Sequence, residues 1–219
     1  RFGVCATTIL ALCRVHPGAG SPAALPGGGP GGAQLERACA AKIEEAHAAL
    51  WSRFVGPDGV IRDYAGDLPT PDDCVMGRPN AIGWWSPIEN GPMFTGLYLA
   101  AACERARRTG DPAAGDEARK LARGLLRCAS VSAVPGFIAR GLGTDGKCHY
   151  PMGSDDQTHP WFHGLHAYVT SDIPDAAERA RVVAKIREVA DALEATGWRC
   201  PVTARSQASS AAGSRGTCF

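Results

Sequence analysis

The sequence predicts an all-α fold built from helical hairpins, and three observations carry that expectation. Four stretches repeat apolar residues at helical spacing, and three of them end at Gly or Gly-Pro stop signals. A seven-residue helix opening occurs twice, 68 residues apart. Between the helical stretches lie turn-forming segments too short to build a sheet that would set the fold.

The first predicted helix covers about residues 33–54. Leu35, Cys39, Ile43, Ala46, Leu50 and Phe54 form its apolar stripe, and Gly56-Pro57 stops it. The second opens at Pro92 and carries Met93, Leu97, Ala100 and Ala101. Arg105, Arg107 and Arg108 complement the negative end of its dipole, and Gly110 closes it. The third follows from Asp111-Pro112, a capping residue and a first-turn proline, with Ala118, Leu121, Ala122 and Leu125 on one face. The fourth begins near Pro174, carries Ala180, Val183, Ile186, Ala190 and Leu193, and ends at Gly197. Pro57-Asp58-Gly59 and Thr144-Asp145-Gly146 are turn signals, each leading to a tyrosine, Tyr64 and Tyr150; small β-hairpin-like or irregular loops are expected there.

The organisation around these helices is uneven. Residues 2–13 are apolar, follow Arg1 and precede small residues, which reads as the end of a secretory signal peptide and predicts export to a periplasmic or extracellular space. Residues 21–32 are a Gly/Pro/Ala linker, so residues 1–32 form a signal-like and linker segment. Residues 33–202 are the expected helical-hairpin domain, and residues 203–219 an expected disordered tail that looks like the product of a truncated or shifted reading frame.

Composition excludes several classes. Lys and Arg number 23 against 22 Asp and Glu, a formal net charge of +1, so nothing in the charge calls for nucleic acid or an anionic membrane. No run approaches the ~18 apolar residues of a membrane span. The nine cysteines show no C-x-x-C spacing, which removes zinc-ribbon and thioredoxin-like readings, and an odd count argues against a complete disulfide framework. Cys39, Cys103 and Cys128 lie in helical patterns and are expected to be small buried apolar groups.

The repeated segment is Pro92-Met93-Phe94-Thr95-Gly96-Leu97-Tyr98 and Pro160-Trp161-Phe162-His163-Gly164-Leu165-His166, which agree at Pro, Phe, Gly and Leu, four of seven positions. Pro suits a first helical turn, and Gly one turn later permits a neighbouring helix to come close. A polar, acidic loop precedes each copy: Ser86-Pro87-Ile88-Glu89-Asn90 and Ser154-Asp155-Asp156-Gln157-Thr158. Hairpins of this kind cannot bury their faces alone, so they stack or close into a ring.

At these residues, and at Gly83-Trp84-Trp85-Ser86-Pro87-Ile88-Glu89-Asn90-Gly91, the chain resembles the six-hairpin glycosidase superfamily, the (α/α)6 toroids. The resemblance implies a partial toroid whose inner helices present loops to one cleft, and a carbohydrate substrate. A 68-residue unit repeated six times needs roughly 400 residues, so the chain would supply about half a ring. With both loops at one rim, Glu89, Asp155 and Asp156 become the candidate acids, Asp156 and Glu89 first. Trp84, Trp85 and Trp161 offer flat faces to sugar rings, Arg140 a partner for a uronate carboxylate, and Asn90 and His159 polar contacts. A polysaccharide lyase is the rival chemistry, with Tyr150 or His149 as base and acid. The bland alternatives are acids that only cap helices and a tryptophan cluster that only fills a core. A non-catalytic helical-repeat binding module, or an inactive fragment, is the remaining reading. No cofactor is expected. His159, His163 and His166 have helical spacing but no metalloprotease-type motif, so no metal is expected either.

Overall fold

The computed structural model describes residues 30–78 and 86–203. The signal-like segment, Trp84, Trp85 and nearly all of the expected tail lie outside the described residues. The chain divides into two compact units, Arg1–Ala46 and His47–Phe219. Six helices occur among the described residues: α1 (Pro30–Arg53), α2 (Pro71–Met76), α3 (Gly91–Thr109), α4 (Pro112–Cys128), α5 (Asp155–Thr170) and α6 (Ala176–Ala195). No strand forms among them; two isolated antiparallel bridges join Val55 to Ile61 and Met152 to Val202. The first bridge flanks the Pro57-Asp58-Gly59 turn, as a small hairpin-like loop should.

In the first unit, Leu35, Cys39 and Ile43 are exposed, so the expected burial of Cys39 is corrected. Lys42 and Glu45 form a solvent-facing pair at 2.5 Å. Such an exposed pair contributes at most a few tenths of a kcal/mol.

The second unit contains the core. Its helix ends follow the local rules. Asp111 accepts from Ala113 N at 2.9 Å and opens α4; Asp175 accepts from Glu178 N at 2.7 Å and opens α6. Gly110 closes α3 with φ 64°, a left-handed conformation that glycine reaches without steric cost. Helix α4 buries Ala114, Ala118, Leu121, Ala122, Leu125 and Cys128 along one stripe. All of these but Ala114 pack with Leu99, Leu165, Tyr168, Val182 and Val189 in one apolar cluster.

Two elements differ from the sequence expectation. Helix α2 was not anticipated, although Thr70-Pro71-Asp72-Asp73 carries its reason. Thr70 and Asp73 form a reciprocal capping box, and Pro71 supplies the first helical residue. Helix α5 starts at Asp155 and encloses Pro160, instead of starting there. One missing N–H near the start of a helix is tolerated because the turn before it is held independently. Thr158 supplies that hold, since both its N–H (3.1 Å) and its hydroxyl (2.8 Å) reach Ser154 O.

Helices α3 and α5 lie side by side and parallel. At one end Gln157 Nε2 donates to Asn90 Oδ1 at 2.9 Å, and Met93 N donates to Gln157 Oε1 at 3.2 Å. At the other end Cys103 and Glu104 of α3 share a cleft with Thr170 and with Ser171, just past the end of α5. The crossing is made by the repeated glycines. A Cβ on Gly96 would stand 2.0 Å from Pro160 O, and one on Gly164 would stand 2.5 Å from Gly96 O. The motif therefore does what its chemistry suggested: it lets the two equivalent helices touch backbone to backbone. Each then turns back through an antiparallel partner, α4 after α3 and α6 after α5, so the unit is two helical hairpins with their first helices adjacent. His47 ties the end of α1 to both members of the first hairpin, with Nδ1 2.6 Å from Tyr98 OH and Nε2 3.2 Å from Glu117 Oε1.

Candidate functional site at the shared helix rim

The parallel packing puts the two acidic loops at the same end of the molecule. The organising residue is Asp63, which sequence reasoning missed. Its carboxylate accepts from Glu89 N (3.0 Å), Asn90 N (2.8 Å) and Asn90 Nδ2 (2.7 Å). Asn90 then accepts from Gln157, which in turn accepts from Met93 N. A continuous polar chain thus runs from the 61–63 segment through the start of α3 to the first turn of α5. Gln157 is fully buried, so its amide must be satisfied, and here both of its ends are. No local signal marks Asp63, because its partners lie 26 and 27 residues on.

Arg140 joins the loops a second time. Its Nε donates to Glu89 O at 2.8 Å and its Nη1 to Ser154 Oγ at 2.9 Å. Ser154 in turn donates its hydroxyl to Asp156 Oδ1. The sequence suggested Arg140 for a substrate carboxylate; in the structure its guanidinium braces the rim. Glu89 and Asp156 are therefore brought to one neighbourhood, linked through Arg140 and Ser154. Asp156 is exposed in the first turn of α5, Asp155 is half-buried and accepts Asp156 N at 2.9 Å, and Glu89 is half-buried just ahead of α3. Neither Asn90 nor Ser154 makes a side-chain cap. Among the acids, Asp155 plays a capping role, on the Asp156 amide.

The aromatic expectations change more. Trp161 is fully buried, and its indole N–H donates to Leu125 O at 2.8 Å, near the end of α4. It is a core residue that satisfies a helix carbonyl, and not a sugar platform. A different aromatic surface adjoins Asp63. Leu50, Phe54, Phe94, Leu97, Tyr98 and Ala101 line an open groove of about 520 Å³ that ends at Arg62 and Asp63. Phe94 is 38% exposed there.

Of the two residues of the rival lyase chemistry, Tyr150 is placed unfavourably and His149 is not. Tyr150 is buried, donates its hydroxyl to Arg78 O, and is pushed up to about 12 by burial. A general base must lose its proton near the working pH, and this phenol is held against that. His149 is half-buried with its ring 5.3 Å from Phe137 and its Nδ1 2.8 Å from Lys147 O. A carbonyl can only accept, so Nδ1 carries the proton and Nε2 is left as the basic nitrogen. His159, like His163 and His166, is exposed, and no cluster of metal-binding side chains occurs among the described residues.

These features define an all-α protein of paired helical hairpins with a polar, acid-bearing rim. No protein-family model, curated protein or solved structure matches the chain. None of the described helices is long and apolar enough to cross a membrane.

Proposed function

We propose that the chain belongs to a carbohydrate-active α/α toroid and cleaves glycosidic bonds with Glu89 and Asp156 as the carboxylate pair. The observation that carries this reading is the parallel contact of α3 and α5, which sets two acid-bearing helix starts side by side through Asp63, Asn90 and Gln157. Glycoside hydrolysis asks for two carboxyl groups across the scissile bond, one protonated to assist departure of the leaving oxygen and one ionised as base or nucleophile. Two loops on two parallel helices are a natural way to hold such a pair apart but facing. The groove of Phe54, Phe94 and Tyr98 supports the same reading, because the flat C–H faces of sugar rings stack on aromatic rings while their hydroxyls stay in reach of polar groups such as Asp63. In the lyase alternative the burial of Tyr150 leaves His149 as the base.

The test is a pair of isosteric replacements, Asp156→Asn and Glu89→Gln, in protein that turns over an oligosaccharide. Each should lower kcat by about 10²–10⁴-fold while the circular dichroism spectrum stays that of the parent. Full activity in both variants would remove the pair from the mechanism.

A further inference from the structure

Away from the rim, two free thiols from distant parts of the chain meet. Cys74 lies in α2 and is buried, and Cys148 follows the 144–146 turn and is half-buried. Both belong to one small apolar cluster with Leu68, Ile88 and Tyr150. Both also line one open depression of about 490 Å³, beside Asp145, Lys147 and His149. The Cys148 side chain packs against the cluster to which Cys74 belongs, with its Sγ 3.7 Å from Pro69 O. A single buried cysteine is ordinarily an inert apolar filler; two in one cluster, one of them reachable from solvent, are a different chemical object.

The loop that carries Cys148 is held in place. Thr144 N donates to Pro69 O at 3.0 Å, Gly143 N to Cys148 O at 2.8 Å, and Asp145 Oδ1 accepts from Lys147 N at 2.8 Å and Cys148 N at 2.6 Å. Those backbone donors hold the Asp145 carboxyl down at about 2. The loop therefore holds Cys148 against the cluster that contains Cys74.

We propose that Cys74 and Cys148 are a redox pair that a small disulfide compound, such as oxidised glutathione, converts into a reversible disulfide staple between α2 and the loop leading to Tyr150. The steps balance as thiol–disulfide exchange. Cys148, the accessible member, loses its proton to water, and its sulfur attacks one sulfur of the reagent. The reagent's S–S bond breaks and the first thiolate leaves. Cys74 then loses its proton, attacks Cys148 Sγ, and expels the second thiolate. Two protein thiols are oxidised, one small disulfide is reduced to two small thiols, and a reducing dithiol reverses the sequence. Burial, reinforced by Asp145 and Asp73, keeps both thiols above the usual cysteine range, so oxidation is slower than at an exposed cysteine.

The experiment uses the full chain, reduced and then incubated with oxidised glutathione. Remaining thiols are blocked with iodoacetamide, and the protein is digested without reduction and examined by mass spectrometry. The expected new product, beside the disulfide that Cys200 already makes, is a cross-linked pair of peptides carrying Cys74 and Cys148 that separates on adding dithiothreitol. Because the bridge closes a long loop, the midpoint of thermal unfolding should rise by on the order of 10 °C on oxidation. Cys74→Ala should trap glutathione on Cys148, and Cys148→Ala should give no cross-link at Cys74. Recovery of both cysteines fully alkylated from folded, oxidant-treated protein would overturn the proposal. So would a bridge from either residue to another cysteine, a cross-link that forms only in urea, or a folded Cys74→Ala variant that takes up no glutathione.

Discussion

Replacing Gly96 with alanine is expected to destabilise the protein by about 3 kcal/mol and to lower its melting midpoint by roughly 10 °C, as followed by circular dichroism. The added methyl would stand 2.0 Å from Pro160 O and 2.4 Å from Pro160 C. Those atoms are backbone, so the two helices must separate to admit it. Separation weakens the α3–α5 contact along its length and draws Gln157 away from Asn90. The local effect of the same change runs the other way, because alanine is the better helix former by about 1 kcal/mol. Gly115 isolates that effect. It lies in α4 with its nearest foreign atom, Arg119 Nη1, at 3.7 Å. Gly115→Ala should therefore leave stability unchanged or raise it slightly. If both alanines behaved alike, the close approach of α3 and α5 would not be what holds this region together.

Asp63→Ala is expected to cost a further large amount, about 3 kcal/mol, and to release the 86–90 loop. Three hydrogen bonds to one carboxylate are lost, and the N–H groups of Glu89 and Asn90 are left without an acceptor in a half-buried setting. Hydrogen bonds to charged groups contribute about 1.5–3 kcal/mol each, but water repairs part of that loss here. Amide exchange at Glu89 and Asn90 should accelerate by about 100-fold, a local signature distinct from global unfolding. Asp63→Asn keeps one acceptor oxygen and should fall between the parent and alanine. Unaltered exchange at both amides in Asp63→Ala would show that the rim is held by Arg140 alone.

Much of the helical framework was legible because its signals are local. Asp111-Pro112 and Gly110 fix helix ends by capping chemistry that acts within a few residues. The repeat around Gly96 and Gly164 was legible as well, and its meaning as a helix crossing followed from the size of glycine. What failed depended on partners far along the chain. Pro160 resembles a first-turn proline, yet α5 begins five residues earlier because Ser154 and Thr158 build a turn without it. Trp161 looked like a rim aromatic, but its place one residue past that proline points it at α4, where Leu125 O takes its N–H. Arg140 and Tyr150 were read by what their side chains can do in isolation, whereas Glu89, Ser154 and Arg78 had already engaged them. Asp63 left no trace in the sequence, since nothing near it shows that two backbone amides will arrive from the segment before α3. Helix α2 is the one omission with a local signal, the capping box at Thr70 and Asp73.

The claim on which the functional account rests is that the paired starts of α3 and α5 form one carbohydrate site. The most direct measurement is a nuclear magnetic resonance titration with a panel of neutral and acidic oligosaccharides, following the side-chain amides of Asn90 and Gln157 and the ring protons of Phe94. Saturable shifts are expected at all three with at least one member of the panel, weakened in Asp63→Ala. Shifts confined to other parts of the molecule, or none with any of the sugars, would contradict it.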